Sequence, residues 1–245
     1  MSIIPFWAQT VLFTLGAVGI LILIFKILKS KIGDNLKTVA TAILIPPFIC
    51  LMVIPYIPST LDASQAGLFI DGLLGISIFS LVLGRVIYDK ELDVAKSSLF
   101  LVAGSIGVLL ISLAIGLIEG NFISNILWIT EVSKQITLTL PFTAAIVSIL
   151  LVIKPTEYMK KTAFLLMSFP GSLYLSVGFR HLASSILLNS ISPFITSTGF
   201  SYSMLGGISL ALVGLSTFVE KESFSRILGG ASTSINAAQI ILMLI

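Results

Sequence analysis

The sequence predicts an all-α, polytopic integral membrane protein: a bundle of about eight transmembrane helices. Of its 245 residues 56% are hydrophobic and only 10% are charged, and the mean hydropathy is +1.11. An ordinary globular domain has about 45–50% apolar and about 25% charged residues. So few charges cannot cover the surface of a water-exposed particle of this size, which excludes a soluble domain.

Eight apolar runs along the chain are long enough to be membrane spans. A helix needs about 20 apolar residues to cross roughly 30 Å of hydrocarbon, and the runs lack the alternation of a barrel strand. They cover residues 6–28, 38–57, 67–88, 98–118, 136–153, 162–182, 202–219 and 227–245. Because the loops between them are short, we expect a single transmembrane domain over residues 1–245.

Prolines interrupt the second and the sixth run. Pro46 and Pro47 stand together in the second run, and Pro170 precedes Gly171 in the sixth. Each proline removes a backbone donor, so we expect these helices to be kinked or unwound. The end of the sixth run is the least well defined, because apolar residues continue to Leu188.

The eighth run combines small and polar residues. Gly230, Ser234 and Ala238 form a stripe at four-residue spacing, and such stripes allow close helix packing, either within the chain or with another chain. Asn236 and Gln239 lie in the same run and need hydrogen-bonding partners inside the protein or on a neighbour.

The basic residues predict the orientation, because they favour cytoplasmic loops. Twelve of the fourteen flank the first, third, fifth and seventh connections, Lys134 is on the other side, and Arg180 lies in the sixth run. This split predicts a multi-pass protein of the cell membrane with both termini outside. The twelve are Lys26, Lys29, Lys31, Lys37, Arg85, Lys90, Lys96, Lys154, Lys160, Lys161, Lys221 and Arg226.

Several kinds of chemistry are excluded by composition. A net charge of +3 is too weak to indicate a nucleic-acid partner, and one cysteine, Cys50, cannot close a disulfide within the chain. With one histidine, His181, the chain cannot ligate haem through two histidines, whereas ligation by His181 with Met204 stays open. No zinc set or Ser-His-Asp arrangement is present. We therefore expect no catalytic centre, no metal site and no cofactor bound by this chain alone.

Three ionisable residues close to the membrane interior are candidates for a ligand site: Asp71, Arg180 and His181. Asp71 is 19 residues before Lys90, and Arg180 is 19 residues after Lys161, so each lies roughly 28 Å from the inner boundary. Equal depth predicts an ion pair, which lowers the cost of both charges. The trio is interpreted as an anchor at the outer interface, as a polar ligand pocket, or as a contact with another subunit.

The first functional hypothesis is that the chain is a membrane subunit of a larger redox or respiratory complex. The loops are short, and the sequence contains no set of residues that would form an active site by itself. Eight spans with both termini outside resemble, in topology only, the quinol-oxidising anchor subunits of molybdoenzyme complexes of the dimethyl-sulfoxide-reductase type. That resemblance implies a quinol near the outer face, with His181 as its hydrogen-bonding group and Arg180 and Asp71 as neighbours. The expected partners are other membrane subunits and lipid, and quinone is the expected ligand.

The alternative is a small autonomous transporter or channel. Transporters often bind substrate where helices are discontinuous, and here the second and sixth runs contain prolines. Asp71 and Asn236 would contact the substrate or ion. The scarcity of polar residues at the membrane midplane and the lack of a clear internal repeat weigh against this alternative.

Overall fold

The computed structural model describes residues 6–56, 63–118, 139–187 and 198–244, and within these ranges all regular structure is helical. Each predicted run forms a helix there, while residues 57, 136–138 and 245 of the predicted runs lie outside the described residues. A short 3₁₀ turn, Ile54–Tyr56, follows the second helix. The α-helices are α1 Phe6–Lys29, α2 Asp34–Val53, α3 Ala63–Asp89, α4 Val94–Ile118, α5 Thr139–Ile153, α6 Glu157–Leu187, α7 Thr198–Ser216 and α8 Glu222–Leu244.

Several helices begin before their apolar runs, because polar residues cap them. The Asp93 carboxylate accepts a hydrogen bond from the backbone N–H of Lys96 at 3.1 Å, so α4 starts at Val94. This hydrogen bond lowers the pKa of Asp93 below its usual value. At the start of α6 the Thr156 hydroxyl accepts from the N–H of Met159 at 3.4 Å. Apolar runs alone therefore underestimate helix length by about one turn.

Helix α6 lies at the centre of the bundle. It packs against α3, α4, α5 and α7, whereas α2 packs against α1, α3 and α4. Helix α8 packs against α5 and α7, and α1 contacts mainly α2. The neighbouring positions of α3 and α6 bring the predicted site residues to one interface.

Two outcomes were predicted for the helices that contain prolines, a kink or unwinding, and only unwinding is excluded for the described chain. Helix α2 continues through Pro46 and Pro47, and α6 continues through Pro170. In α2, Pro47 leaves the carbonyl of Ile43 without its helical donor. Gly107 of α4 packs on that carbonyl so closely that a Cβ there would lie 2.1 Å from the oxygen. This backbone contact covers the carbonyl that the proline leaves without a donor.

The outer surface of the bundle is apolar. Along α1 the side chains of Leu12, Leu15, Ile22 and Phe25 are exposed, a surface that suits lipid rather than water. Five segments are long and apolar enough to cross a membrane, which makes the chain a multi-pass membrane protein. They are Thr10–Lys29, Asp34–Tyr56, Phe69–Asp89, Val94–Leu117 and Glu157–Leu187. The apolar segments Leu140–Ile153 and Met204–Ser216 are shorter, so the count of eight crossings stays a prediction.

Three of the basic connections meet at one end of the bundle, which we call the charged end: residues 90–93, 154–156 and 217–221 with the adjoining helix ends. Lys161 lies 3.3 Å from the carboxylate of Glu91, and the Lys160 ammonium donates to the main-chain carbonyl of Val219. These contacts agree with the prediction that the third, fifth and seventh connections share one side of the membrane. That this side is the cytoplasm stays a prediction.

Candidate functional site

Asp71 and Arg180 form an ion pair between α3 and α6, as their equal depth predicted. One Nη of Arg180 donates to the Asp71 carboxylate. The whole residues are only 7% and 2% exposed, and the neighbouring His181 is 3% exposed. The predicted pairing is therefore confirmed, and all three predicted site residues lie in the bundle interior rather than on its surface.

Close approach of α3 and α6 positions this pair. Ser176 is one helical turn from Arg180, and its hydroxyl donates to the main-chain carbonyl of Asp71 at 3.3 Å. One turn along α3, a Cβ on Gly75 would lie 2.4 Å from the Leu173 side chain and 3.0 Å from its Cα. Glycine at position 75 lets the two helices meet closely enough for the short Asp71 side chain to reach the guanidinium.

Burial makes the two charges depend on each other. Moving an ion out of water costs several kcal/mol even after relaxation, and an opposite charge with good hydrogen bonds offsets that cost. Losing Arg180 leaves the buried Asp71 carboxylate without its opposite charge, and losing Asp71 removes the carboxylate that compensates Arg180. The interpretation of the trio as a simple surface anchor does not fit, because an anchoring arginine keeps its guanidinium in the polar interface, and Arg180 is buried.

His181 is next to Arg180 in the sequence, and its imidazole makes no hydrogen bond to the described residues. The residue is buried. A neutral imidazole has one donor and one acceptor nitrogen, and a buried polar group without partners is costly. An imidazole in this state can accept a hydrogen bond from a hydroxyl group, or donate one to a hydroxyl or a carbonyl group.

A second polar group occupies the interface between α7 and α8. The Asn236 side chain is fully buried and donates to the Ser209 hydroxyl at 2.8 Å, and that hydroxyl is 2.6 Å from the hydroxyl of Ser232. Of the two predicted alternatives, a partner inside the protein or on a neighbour, the amide N–H of Asn236 has the internal one, while its Oδ1 accepts no hydrogen bond from the described residues. The two serines had no distinguishing signal in the sequence, because Ser is frequent along all of these helices.

The small-residue stripe of α8 faces out of the bundle. A Cβ on Gly230 would meet nothing within 4 Å, and Ser234 and Ala238 are exposed. The close internal contact uses Gly229 instead, where a Cβ would lie 2.6 Å from the Cβ of Leu151. Of the two alternatives for the stripe, packing within the chain is thus excluded for the described helices.

No metal centre is found in the described ranges: they contain no group of three or more His, Cys, Asp or Glu side chains that could hold an ion. The Met204 side chain is exposed whereas His181 is buried, which gives no support to haem ligation by this pair. Comparison with protein-family models, curated proteins and solved structures gives no match. The fold and the apolar surface define the chain as a multi-pass helical membrane protein.

Proposed function

We propose that the chain is the membrane subunit of a larger membrane-bound redox complex, with a quinol site at His181 beside the Asp71–Arg180 pair. The chain has no catalytic centre of its own in this proposal. A partner subunit holds the redox centre that takes the electrons. The complex lies in the cell membrane, with eight spans and both termini outside.

The observation that carries the proposal is the buried imidazole without a hydrogen bond next to a fixed cation. A quinol is an apolar ring with two hydroxyl groups, so it suits a mostly apolar helix interface with one or two polar groups. His181 would accept the hydrogen bond of one quinol hydroxyl. Asp71 holds Arg180 in place, which keeps a positive charge next to the ring.

In the proposed reaction each residue has a limited role. Quinol loses two electrons and two protons and becomes quinone; one proton goes to His181 and the second to water at the nearby membrane surface. His181 accepts one hydroxyl proton as the first electron leaves, and the electrons pass to the partner's redox centre. Arg180 stabilises the developing negative charge on the quinol oxygen, and Asp71 is a positioning residue that acts through Arg180.

The transporter hypothesis has less support. It depended on discontinuous helices, and within the described residues α2 and α6 are continuous through their prolines. Asp71, its candidate substrate ligand, already pairs with Arg180. The described parts of these two helices therefore show no break of the kind at which such transporters bind substrate.

A photoactivatable quinone analogue tests the site directly. We expect it to label α6 near His181 in the purified protein in lipid nanodiscs, and we expect the His181→Ala variant to lose most of that labelling. Ser168→Ala is the matched control, because Ser168 is buried in the same helix nearer its charged end, and it should label normally. Equal labelling of the wild type and His181→Ala would contradict the proposed site.

A further inference from the structure

The charged end contains a cavity of about 590 Å³, a volume in the usual range for small-molecule sites. Its walls come from the third connection, the start of α6 and the end of α7, with Leu92, Lys96, Lys160 and Phe218 among the lining residues. This cavity is separate from the Asp71–Arg180 pair, because Arg180 lies about five and a half turns, roughly 30 Å, along α6 from Lys160.

The carboxylates that line the cavity already have partners. Asp89 lies 2.7 Å from Arg85, and Asp93 lies 3.5 Å from Lys96. The remaining two, Glu91 and Glu157, share Lys161 at 3.3 Å and 3.1 Å. Three cations thus compensate four carboxylates, and the fourth cation of the lining, Lys160, stands apart from them.

Lys160 is a buried cation. Its residue is only 6% exposed, and its ammonium donates to the main-chain carbonyl of Val219. No carboxylate in the described part of the chain lies within ion-pair distance of it. An ammonium has three N–H donors, and a carbonyl beyond a helix end compensates only part of a full charge.

We propose that this cavity binds a phosphate group through the ammonium of Lys160. Phosphate oxygens accept hydrogen bonds from the remaining N–H groups of the ammonium and supply the missing negative charge, as in other charge-assisted pairs. The four acidic and four basic side chains of the lining leave no strong overall field. The attraction is therefore local to Lys160.

The surroundings of the cavity match the depth of lipid headgroups. Tyr88, Tyr158 and Phe218 are strongly exposed at this end, and aromatic side chains concentrate where headgroups meet hydrocarbon. Leu92 and Phe218 give the cavity an apolar border. The phosphate comes from one of two sources. One is the headgroup of an anionic phospholipid, because basic pockets between helices bind such headgroups. The other is inorganic phosphate in solution.

The test compares Lys160→Gln with Lys154→Gln. Lys154 undergoes the same change of charge but is exposed and does not line the cavity. Each protein is reconstituted in vesicles of phosphatidylglycerol and phosphatidylcholine, extracted in detergent and assayed for retained phosphatidylglycerol. We expect the wild type and Lys154→Gln to retain the lipid, and Lys160→Gln to bind it about tenfold more weakly, as for one lost charge-assisted hydrogen bond.

A second measurement distinguishes the source of the phosphate. Inorganic phosphate, compared with chloride at equal ionic strength, is added to delipidated wild type, and the thermal midpoint is measured. If phosphate raises the midpoint of the wild type but not of Lys160→Gln, and no lipid is retained, the site is assigned to soluble phosphate.

If Lys160→Gln does not fold, acetylation of Lys160 is measured in the wild type with and without each phosphate source. Lys154 is the internal control, and bound phosphate should protect Lys160. Lys160 variants that retain lipid and respond to phosphate like the wild type, or a wild type that shows neither effect, would overturn the proposal.

Discussion

At the scale of single residues, the Asp71–Arg180 pair determines what the interface between α3 and α6 can do. The pair is buried between two helices, so each charge is tolerable because the other is present. It also places a charged group next to His181 in the sequence within the bundle interior.

The pair predicts non-additive effects of mutation. Arg180→Ala alone leaves the Asp71 carboxylate buried without a partner, and we expect it to cost about 3–5 kcal/mol of stability. Adding Asp71→Ala to Arg180→Ala should restore part of that loss. Unfolding in detergent micelles measures both variants. Arg85→Ala is the control, since Arg85 pairs with Asp89 while partly exposed and should cost less than about 1 kcal/mol. Equal losses in the single and the double variant would refute the mutual dependence.

Counting residues from the basic boundary was enough to predict the Asp71–Arg180 pair, because a helix rises by a constant amount per residue. The same counting gave no reason to expect different surroundings for Lys160 and Lys161. Their different surroundings, one beside Val219 and one beside Glu91, depend on how three connections meet in space. That information is absent from a linear pattern of charges.

At the scale of the helices, contacts between backbones explain why the prolines do not interrupt α2. Gly107 brings α4 against the Ile43 carbonyl that Pro47 leaves without a donor. The sequence showed the prolines in one run and the glycine in another, but nothing in it paired the two. Local rules predicted a kinked or unwound helix, and the structure excludes the unwound alternative.

Gly107→Ala tests this contact. The added Cβ would lie 2.1 Å from a carbonyl oxygen, so α4 must shift away from α2, and overpacking of this kind costs about 1–3 kcal/mol. Thermal unfolding in micelles measures the loss. Gly84→Ala is the matched control within α3, because a Cβ there meets nothing within 4 Å and alanine is the better helix former. A Gly107→Ala variant as stable as Gly84→Ala would contradict the contact.

At the scale of the whole molecule, the bundle has two different ends. The charged end collects basic connections, ion pairs and the Lys160 cavity, whereas the Asp71–Arg180 pair and His181 lie towards the other end of α6. Composition and the eight apolar runs predicted the helical membrane bundle correctly, because lipid leaves the backbone few alternatives. The grouping of three connections followed from the charge count as well.

Cysteine labelling tests the orientation of the two ends. Cysteines introduced at Ser30 and Ser223 should stay unlabelled by an impermeant reagent added outside, because basic connections favour the cytoplasmic side. Cysteines introduced at Ser64 and Ser192 should react. The native Cys50 is fully buried and gives a low background. Strong labelling of Ser223→Cys from outside would defeat the eight-span arrangement.

The central claim is that the chain works as a quinol-binding subunit among redox partners, and purification from its native membrane in a mild detergent tests it most directly. The claim predicts that a tagged chain brings stoichiometric partner subunits with it and that the complex absorbs light through haem, flavin or iron–sulfur centres. His181→Ala should keep this composition and lose quinol oxidation. A chain that purifies alone as a colourless homo-oligomer, from membranes where it is abundant, would contradict the claim.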